Sequence, residues 1–453
     1  MSQPASSFDH PSGIFPTAED DPPSHARYIA LSGFCIAAAV AYFSRNILGA
    51  AAPQIEAELG FSHTEMGIVM GAFFYSYSAM QIPGGWLGDR FGTRRTLTVL
   101  ALTWAILTAS LGLTMGFVSL LVAYVLVGVA QGGLFPCTTI SFSRWFPMSE
   151  RAFTGGALTS FMSLGGAIAT YTTGFLLGTW DLDWRWVCAL FGVPAIIWAI
   201  WFFWWFRDQP DEHSSVNRSE LSTIRRELPP SPPKKDGDPS EWAIWGHVLS
   251  QPVMWLICGQ QFFRAGGYII FATWFPTYFQ EQWGVNTEES ALLTGLVLLG
   301  VVPGGIAGGL VTDWLWRKTH SRRISRQAVA IVTTLLCAGL VSAVFVSTSL
   351  TAAMVFLVVA ASFQAAAAPC SIAITMDVGE SQVSKVYSTM NTSGNIGAAV
   401  FPVVVGYLMD ATNNSWDRVP IIFGCIYLAS AICWMALNPN KNVDRMATGS
   451  GGI

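Results

Sequence analysis

Twelve apolar stretches, each about as long as a bilayer is thick, succeed one another along this chain and leave it few ways to fold. They run roughly over 28–56, 63–88, 96–115, 117–145, 152–178, 184–206, 249–280, 289–316, 326–347, 350–376, 383–410 and 419–437. A helix needs about 20 apolar residues to cross the hydrocarbon core. Several stretches are longer, which suits tilted helices that protrude from the bilayer. The composition agrees: 52% of the 453 residues are hydrophobic and 11% are charged, against roughly 25% charged in soluble proteins. The chain reads as an all-α polytopic membrane protein with twelve transmembrane helices.

Basic residues orient the spans. Of the 24 Lys and Arg, only Arg45 and Arg264 fall well inside apolar stretches. With a cytosolic amino terminus, Arg185 and Arg418 land on the outer side and the rest on the inner side, including Arg317, Lys318, Arg322, Arg323 and Arg326. The positive-inside rule places both termini in the cytosol, and a multi-pass location in the plasma membrane is expected. Residues 1–26 are polar and acidic, without the basic-then-apolar order of a signal peptide. They and residues 439–453 read as cytosolic tails, the first of them disordered.

Residues 207–245 change composition abruptly, with Arg225, Arg226, the run Pro229–Pro233, Lys234 and Lys235. Such a segment cannot bury enough apolar surface to form a core. It reads as a cytosolic linker, with one short surface helix near Arg218–Leu228, joining two six-helix bundles at 27–206 and 246–438.

The second and third stretches are joined by Gly84-Gly85-Trp86-Leu87-Gly88-Asp89-Arg90-Phe91-Gly92-Thr93-Arg94-Arg95. A charged, glycine-rich turn cannot sit in hydrocarbon and marks a tight turn at the membrane surface, where glycine lets helix backbones approach closely. It echoes loosely as Pro303-Gly304-Gly305, then Gly309 to Asp313, then Arg317 and Lys318. The echo falls after the eighth stretch, where a duplicated six-helix unit puts it. Duplicated bundles facing each other across a cavity have the geometry of a transporter.

Arg45 lies far from the nearest charges in sequence, Arg27 and Glu56. A cation there costs at least about 2.5–3.5 kcal/mol unless it meets water or a partner. Its planar fork suits a carboxylate or phosphate. Arg264 is the second such cation. With few acids in the spans, the natural counter-charge is a visiting anion. Tyr42 lies nearly one turn before Arg45; Tyr75 and Tyr77 offer hydroxyls and aromatic walls; Asn391, Ser393 and Asn395 place neutral polar groups in the eleventh stretch.

The turn at Gly84–Arg95 resembles the signature loop of the major facilitator superfamily. Within it the chain is similar to the anion:cation symporters, which include sugar-acid, sialic-acid, phosphate and vesicular glutamate transporters. The markers are Tyr42-x-x-Arg45-x-x-Leu48, Gln81-Ile82-Pro83-Gly84-Gly85-Trp86, Trp145-Phe146-Pro147-x-x-Glu150-Arg151 and Trp274-Phe275-Pro276-x-Tyr278. The resemblance implies the major facilitator fold, two pseudo-symmetric six-helix bundles. It implies that Arg45 binds the substrate carboxylate, with Tyr42, Tyr77, Gln261, Arg264 and Asn391 around it. Gly85, Asp89, Arg90, Arg94, Arg144, Glu150, Arg151 and Asp313 resemble the cytosolic cluster that latches the outward-facing state, acting between the bundles.

Two positions depart from the family. The aspartate often found before the first-span arginine is Ser44, and the proton-carrying glutamate of the fourth span falls on Gln131, placed with the substrate site. An amide is isosteric with the acid but does not titrate. The expectation is an organic-anion carrier with altered cation coupling: sodium, another proton site, facilitated diffusion or exchange. Its uptake depends only weakly on a pH gradient.

The leading cargo is a sugar acid or related carboxylate, and the alternative a phosphate or organophosphate. The 8 cysteines stand singly and the 6 histidines lie in tails, loops or helix ends, so no metal site or disulfide framework is expected. No cofactor, catalytic group or nucleic-acid partner is expected, only the anion, a coupling H+ or Na+ and membrane lipid, and the carrier is expected to be a monomer.

Overall fold

The apolar periodicity is realised as helix throughout the computed structural model of the protein. It describes residues 22–443 except 148–149, 226–240, 345, 380–381, 413–414, 417–418 and 442. The amino-terminal half comprises α1 (Ala26–Arg45), α2 (Ile47–Leu59), α3 (His63–Phe91), α4 (Thr93–Ser110), α5 (Phe117–Gly132), α6 (Leu134–Trp145), α7 (Arg151–Gly178) and α8 (Trp184–Trp205). Between the halves lie α9 (Arg218–Arg225) and α10 (Glu241–Ser250). The second half comprises α11 (Pro252–Thr273), α12 (Phe275–Trp283), α13 (Thr287–Thr319), a π-helical turn (Arg323–Ala328), α14 (Val329–Val344), α15 (Leu350–Ala366), α16 (Ala368–Gly379), α17 (Val383–Ala411) and α18 (Val419–Ala436).

Four of the apolar stretches break midway: α1 from α2 at Asn46, α5 from α6 at Gly133, α11 from α12 at Trp274, and α15 from α16 at Ala367. Among the described residues, eight of the twelve expected spans are long and apolar enough to cross a membrane. The last span is a shorter apolar helix, Ile422–Ala436, and the helices α3, α7 and α11 also fall short of that mark. These three carry polar residues such as Gln81, Ser163, Thr170, Gln260, Gln261 and Arg264, as helices facing a hydrophilic cavity do.

The duplication is visible in the packing. A Cβ on Gly84 of α3 would stand 2.5 Å from Gly133 Cα, and one on Gly88 would stand 2.7 Å from Cys137 Sγ. In the second half, Gly304 and Gly308 of α13 lie equally tight against the backbones of Ser362 and Ala366. The Pro-Gly-Gly echo therefore serves the same purpose twice, letting a long helix seat against a broken one.

The halves meet closely only at the end away from the termini. Gly67 and Gly71 of α3 abut the Pro402 and Ala399 carbonyls of α17, Gly406 abuts His63, and Gly174 of α7 abuts Ala291 of α13. Gln54 Nε2 donates to Thr287 Oγ1 at 3.1 Å, and Thr179 bonds Glu288. Among the described residues, hydrogen bonds between the halves reach no further toward the termini than Asn391 Nδ2 to Gln81 Oε1, at 3.5 Å. The central cavity is thus closed at one end and open at the end that carries the termini.

The segment after α8 is more ordered than its composition predicts. Glu220 of α9 is 0% exposed. It accepts from the backbone N–H of Ala26 at 3.0 Å and of Arg27 at 3.1 Å, and from Ser24. A carboxylate there satisfies the orphan donors of α1 and complements its dipole. The physical reason for the difference is that a buried charge docks the described part of this segment together with a few apolar contacts, Ile224 and Pro210 being buried and Val216 packing against the core. The first 21 residues and the Pro229–Pro233 run lie outside the described residues.

Candidate functional site

Arg45 ends α1, where the carbonyl end of a helix favours a cation. The break at Asn46 frees the Arg45 carbonyl, and Tyr124 of α5 donates its hydroxyl to it at 2.9 Å. The residue is 7% exposed. Its guanidinium carbon lies 4.4 Å from the ring centre of Tyr42, 4.5 Å from Phe73, 4.8 Å from Tyr77 and 5.8 Å from Phe74. Aromatic faces stabilise a buried cation by about 2 kcal/mol but do not cancel its charge.

The Arg45 Nη2 donates to Gln131 Oε1 at 3.2 Å, whereas its Nε is buried without a protein partner. No Asp or Glu among the described residues pairs with Arg45 or Arg264. The site is therefore positive and short of an acceptor.

A cavity of about 150 Å³ opens beside this group. Tyr42, Arg45, Tyr77, Gln261 and Asn391 line it, and so do Phe74, Phe135, Met162, Tyr268 and Asn395. Beyond Arg45, toward the closed end, only about 10 Å³ remains among Asn46, Met70, Tyr124 and Ile269, room for one water at most. Arg45 thus stands at the blind end of the cavity.

Two residues expected at the substrate lie behind it. Gln131 is 0% exposed and does not line the cavity; it holds Arg45 and donates to the Ala41 carbonyl at 3.3 Å. The position follows from α5 ending at Gly132, which tucks the amide under the end of α1. Arg264 also stands outside the lining. Its Nη2 and Nε donate to Gln261 Oε1 at 2.9 and 3.2 Å, one turn back on the same helix. The second cation therefore presents Gln261 to the cavity. Tyr75 is 50% exposed, Ser393 donates to the Cys258 carbonyl at 2.9 Å, and neither lines the cavity.

Tyr268 was missed, although it sits four residues after Arg264 and seven after Gln261, a spacing that puts all three on one side of α11. Phe74 likewise precedes Tyr77 by three. Phe135 and Met162 carry no polar signal, and nothing local in the sequence marks them.

The charged groups expected to join the bundles pair inside each half instead. Arg144 meets Asp89 at 3.6 Å, and Arg27 meets Glu150 at 3.0 Å. Arg94 donates its backbone N–H to Asp208 at 2.9 Å and its Nε to the Phe203 carbonyl at 2.6 Å. In the second half Arg326 reaches Asp377 at 3.4 Å and Asp313 at 4.0 Å. Arg90 lies over the Trp86 ring, and Gly85 packs near Pro136. The Arg151 side chain lies outside the described residues. With the halves parted at this end, groups on one bundle have only that bundle to pair with. Among the described residues, no cluster of His, Cys, Asp and Glu is placed to hold a metal ion.

The comparisons agree with this geometry. Residues 34–324 and 315–450 match the model of the Major Facilitator Superfamily. The chain is 30% identical over 422 residues to a probable sulfoacetate transporter of Cupriavidus necator, covering 92% of this chain and 95% of that one. It is 28% identical over 425 residues to a D-galactonate transporter of Escherichia coli, covering 92% and 96%. Among solved structures it is similar to a bacterial homolog of the human lysosomal transporter Spinster in an inward-facing, unoccupied conformation, with a TM-score of 0.70 and 17% identity over 91% of this chain and 94% of that one. These relatives are transporters, not enzymes. Duplicated helical halves around a cationic blind cavity, matched over nearly the whole length, make the chain a multi-pass membrane protein that belongs to the Major Facilitator Superfamily.

Proposed function

We propose that the protein is a secondary transporter that carries a small organic anion across the plasma membrane by alternating access, with both termini in the cytosol. The observation that carries this reading is Arg45, buried at the blind end of the cavity with its Nε unpartnered and no carboxylate beside it. A guanidinium binds a carboxylate through parallel charge-assisted hydrogen bonds. Tyr42, Tyr77, Tyr268, Gln261 and Asn391 would orient the rest of the anion, with Arg264 adding long-range attraction through Gln261. The two relatives are named for sulfoacetate and D-galactonate, both carboxylates, which favours a carboxylate over a phosphate.

Alternating access requires the open end to close. Asp89, Arg90, Arg94, Arg144, Glu150, Arg151 and Asp313, with Gly85 in the turn, are placed at that end and would exchange their present partners for ones across the cavity. Gln131 cannot carry a proton. Cargo movement therefore runs as facilitated diffusion, exchange, sodium-coupled uptake or uptake coupled through another proton site, and no cofactor takes part.

A thermal-shift screen of the purified protein against sugar acids, short sulfonated acids, amino acids and phosphates tests the reading. Stabilisation by carboxylates that disappears in Arg45→Ala is the expected result. Stabilisation by phosphates alone, or a carboxylate response that survives the substitution, would overturn it.

A further inference from the structure

One titratable cluster plays no part in the site above. His63, the first residue of α3, is 8% exposed at the closed end of the molecule. Its Nδ1 lies 3.1 Å from Glu56 Oε1, and its Nε2 lies 3.6 Å from Glu281 Oε1. Asp410 accepts the backbone N–H groups of His63 and Thr64 at 3.1 and 2.8 Å. Glu281 is fixed on its other oxygen by Trp416 Nε1 at 2.8 Å, and the Trp274 ring packs edge-on to the imidazole, 5.5 Å away. Glu56 and His63 belong to the first half; Glu281 of α12 and Asp410 of α17 belong to the second. From the elements packed around His63, those three carboxylates are the ionisable groups that act on it.

The geometry is selective for one protonation state. Both ring nitrogens face carboxylate oxygens, but a neutral imidazole has one N–H and one lone pair. In either neutral tautomer a lone pair is aimed at an anion. Only the imidazolium presents an N–H to the carboxylate on each side, hydrogen-bonding Glu56 and ion-pairing with Glu281, and only then are the three carboxylates partly compensated. We infer that His63, with Glu56, Glu281 and Asp410, is a proton-binding site that controls the outer gate: the bound proton ties the halves together at this end, and its loss releases them.

This assignment of the outer end rests on the transport reading above. His63 lies fourteen residues from Tyr77 on the same helix, about 21 Å along its axis. The proton therefore acts on the cargo through the position of the gate. It also enters and leaves by one face, so it sets how often the gate opens without driving accumulation, consistent with an amide at Gln131.

Spin labels at Ala57 of α2 and Gln282 of α12, both exposed, would report the separation of the halves. They are placed in a Cys425→Ala, Cys433→Ala background, which removes the two native cysteines that are not buried. Pulsed electron paramagnetic resonance on the full chain in nanodiscs, between pH 5.5 and 8, reads the open and closed populations. The expected result is a rise in the open-to-closed ratio with pH of about tenfold, the equivalent of a one-unit difference in proton affinity between the two states. The dependence flattens in His63→Gln, and Glu281→Gln gives a second, separately folding check. A ratio indifferent to pH in the parent, or a pH response unchanged in both variants, overturns the inference. Adding the stabilising carboxylate separates the two readings: a shift with carboxylate but not pH sinks the proton site alone, and a shift with pH but no carboxylate response sinks the cargo assignment alone.

Discussion

Gln131 accepts from Arg45 Nη2 at 3.2 Å and donates from its own Nε2 to the Ala41 carbonyl at 3.3 Å. The amide thus fixes the guanidinium without neutralising it. An acid at the same place would compete with the cargo for the same charge.

That competition is testable with Gln131→Glu. The new carboxylate should pair with Arg45 and weaken anion binding about tenfold or more at pH 7.5, the scale of a charge-assisted hydrogen bond. Protonation at lower pH should restore binding, and uptake into vesicles should become steeply dependent on a pH gradient. A dependence on the gradient no steeper than the parent's would count against the amide's role.

Arg45→Lys keeps the charge but loses the planar fork and the stacking over Tyr42 and Phe73. Because two parallel hydrogen bonds become a single point contact, affinity measured by calorimetry should fall by roughly tenfold. Arg45→Ala should abolish measurable binding. Equal affinity in the lysine variant would mean that charge alone, not bidentate recognition, selects the cargo.

Gly67 allows α3 to meet α17, since a Cβ there would stand 2.5 Å from the Pro402 carbonyl oxygen. That oxygen already accepts Trp274 Nε1 at 3.0 Å and belongs to backbone, so it cannot yield cheaply. Gly67→Leu should hold the gated end apart, lengthening the distance between labels at Ala57 and Gln282 and lowering the uptake rate. An unchanged distance would show that the two helices can re-register.

Glu220→Ala removes a fully buried acceptor from the start of α1 and one of the two carboxylate partners of Arg27. The loss should destabilise the protein by roughly 1–3 kcal/mol, read as a lower melting temperature in detergent. Anion affinity of the folded protein should be unchanged, because the cap lies at the far end of α1 from Arg45.

The helical repeats and the position of Arg45 are legible in the sequence because both follow from the bilayer as solvent. Long apolar runs are a local signal, and a lone arginine within one is conspicuous because its desolvation is so unfavourable. Tyr42 could be placed beside Arg45 from helical spacing alone. Gln131, Arg264 and the charged turn were harder. Their residue types announced function, but their partners lie 86 positions away for Gln131, one turn back for Arg264, and within one bundle for Asp89 and Arg144.

The sequence by itself determined a helical membrane protein, duplicated in two halves, with a cation planted where only an anion could offset it. Those properties depend on composition and period, which each segment carries alone. Only the tertiary structure decided that four rings and an amide surround Arg45 and that Arg264 acts through Gln261. It alone also placed Glu220 over the start of α1 and closed the cavity at the end where His63 meets three carboxylates. Those outcomes depend on contacts between helices remote in the chain, and the short-range spacing that defines a helix says nothing about which helix will face it.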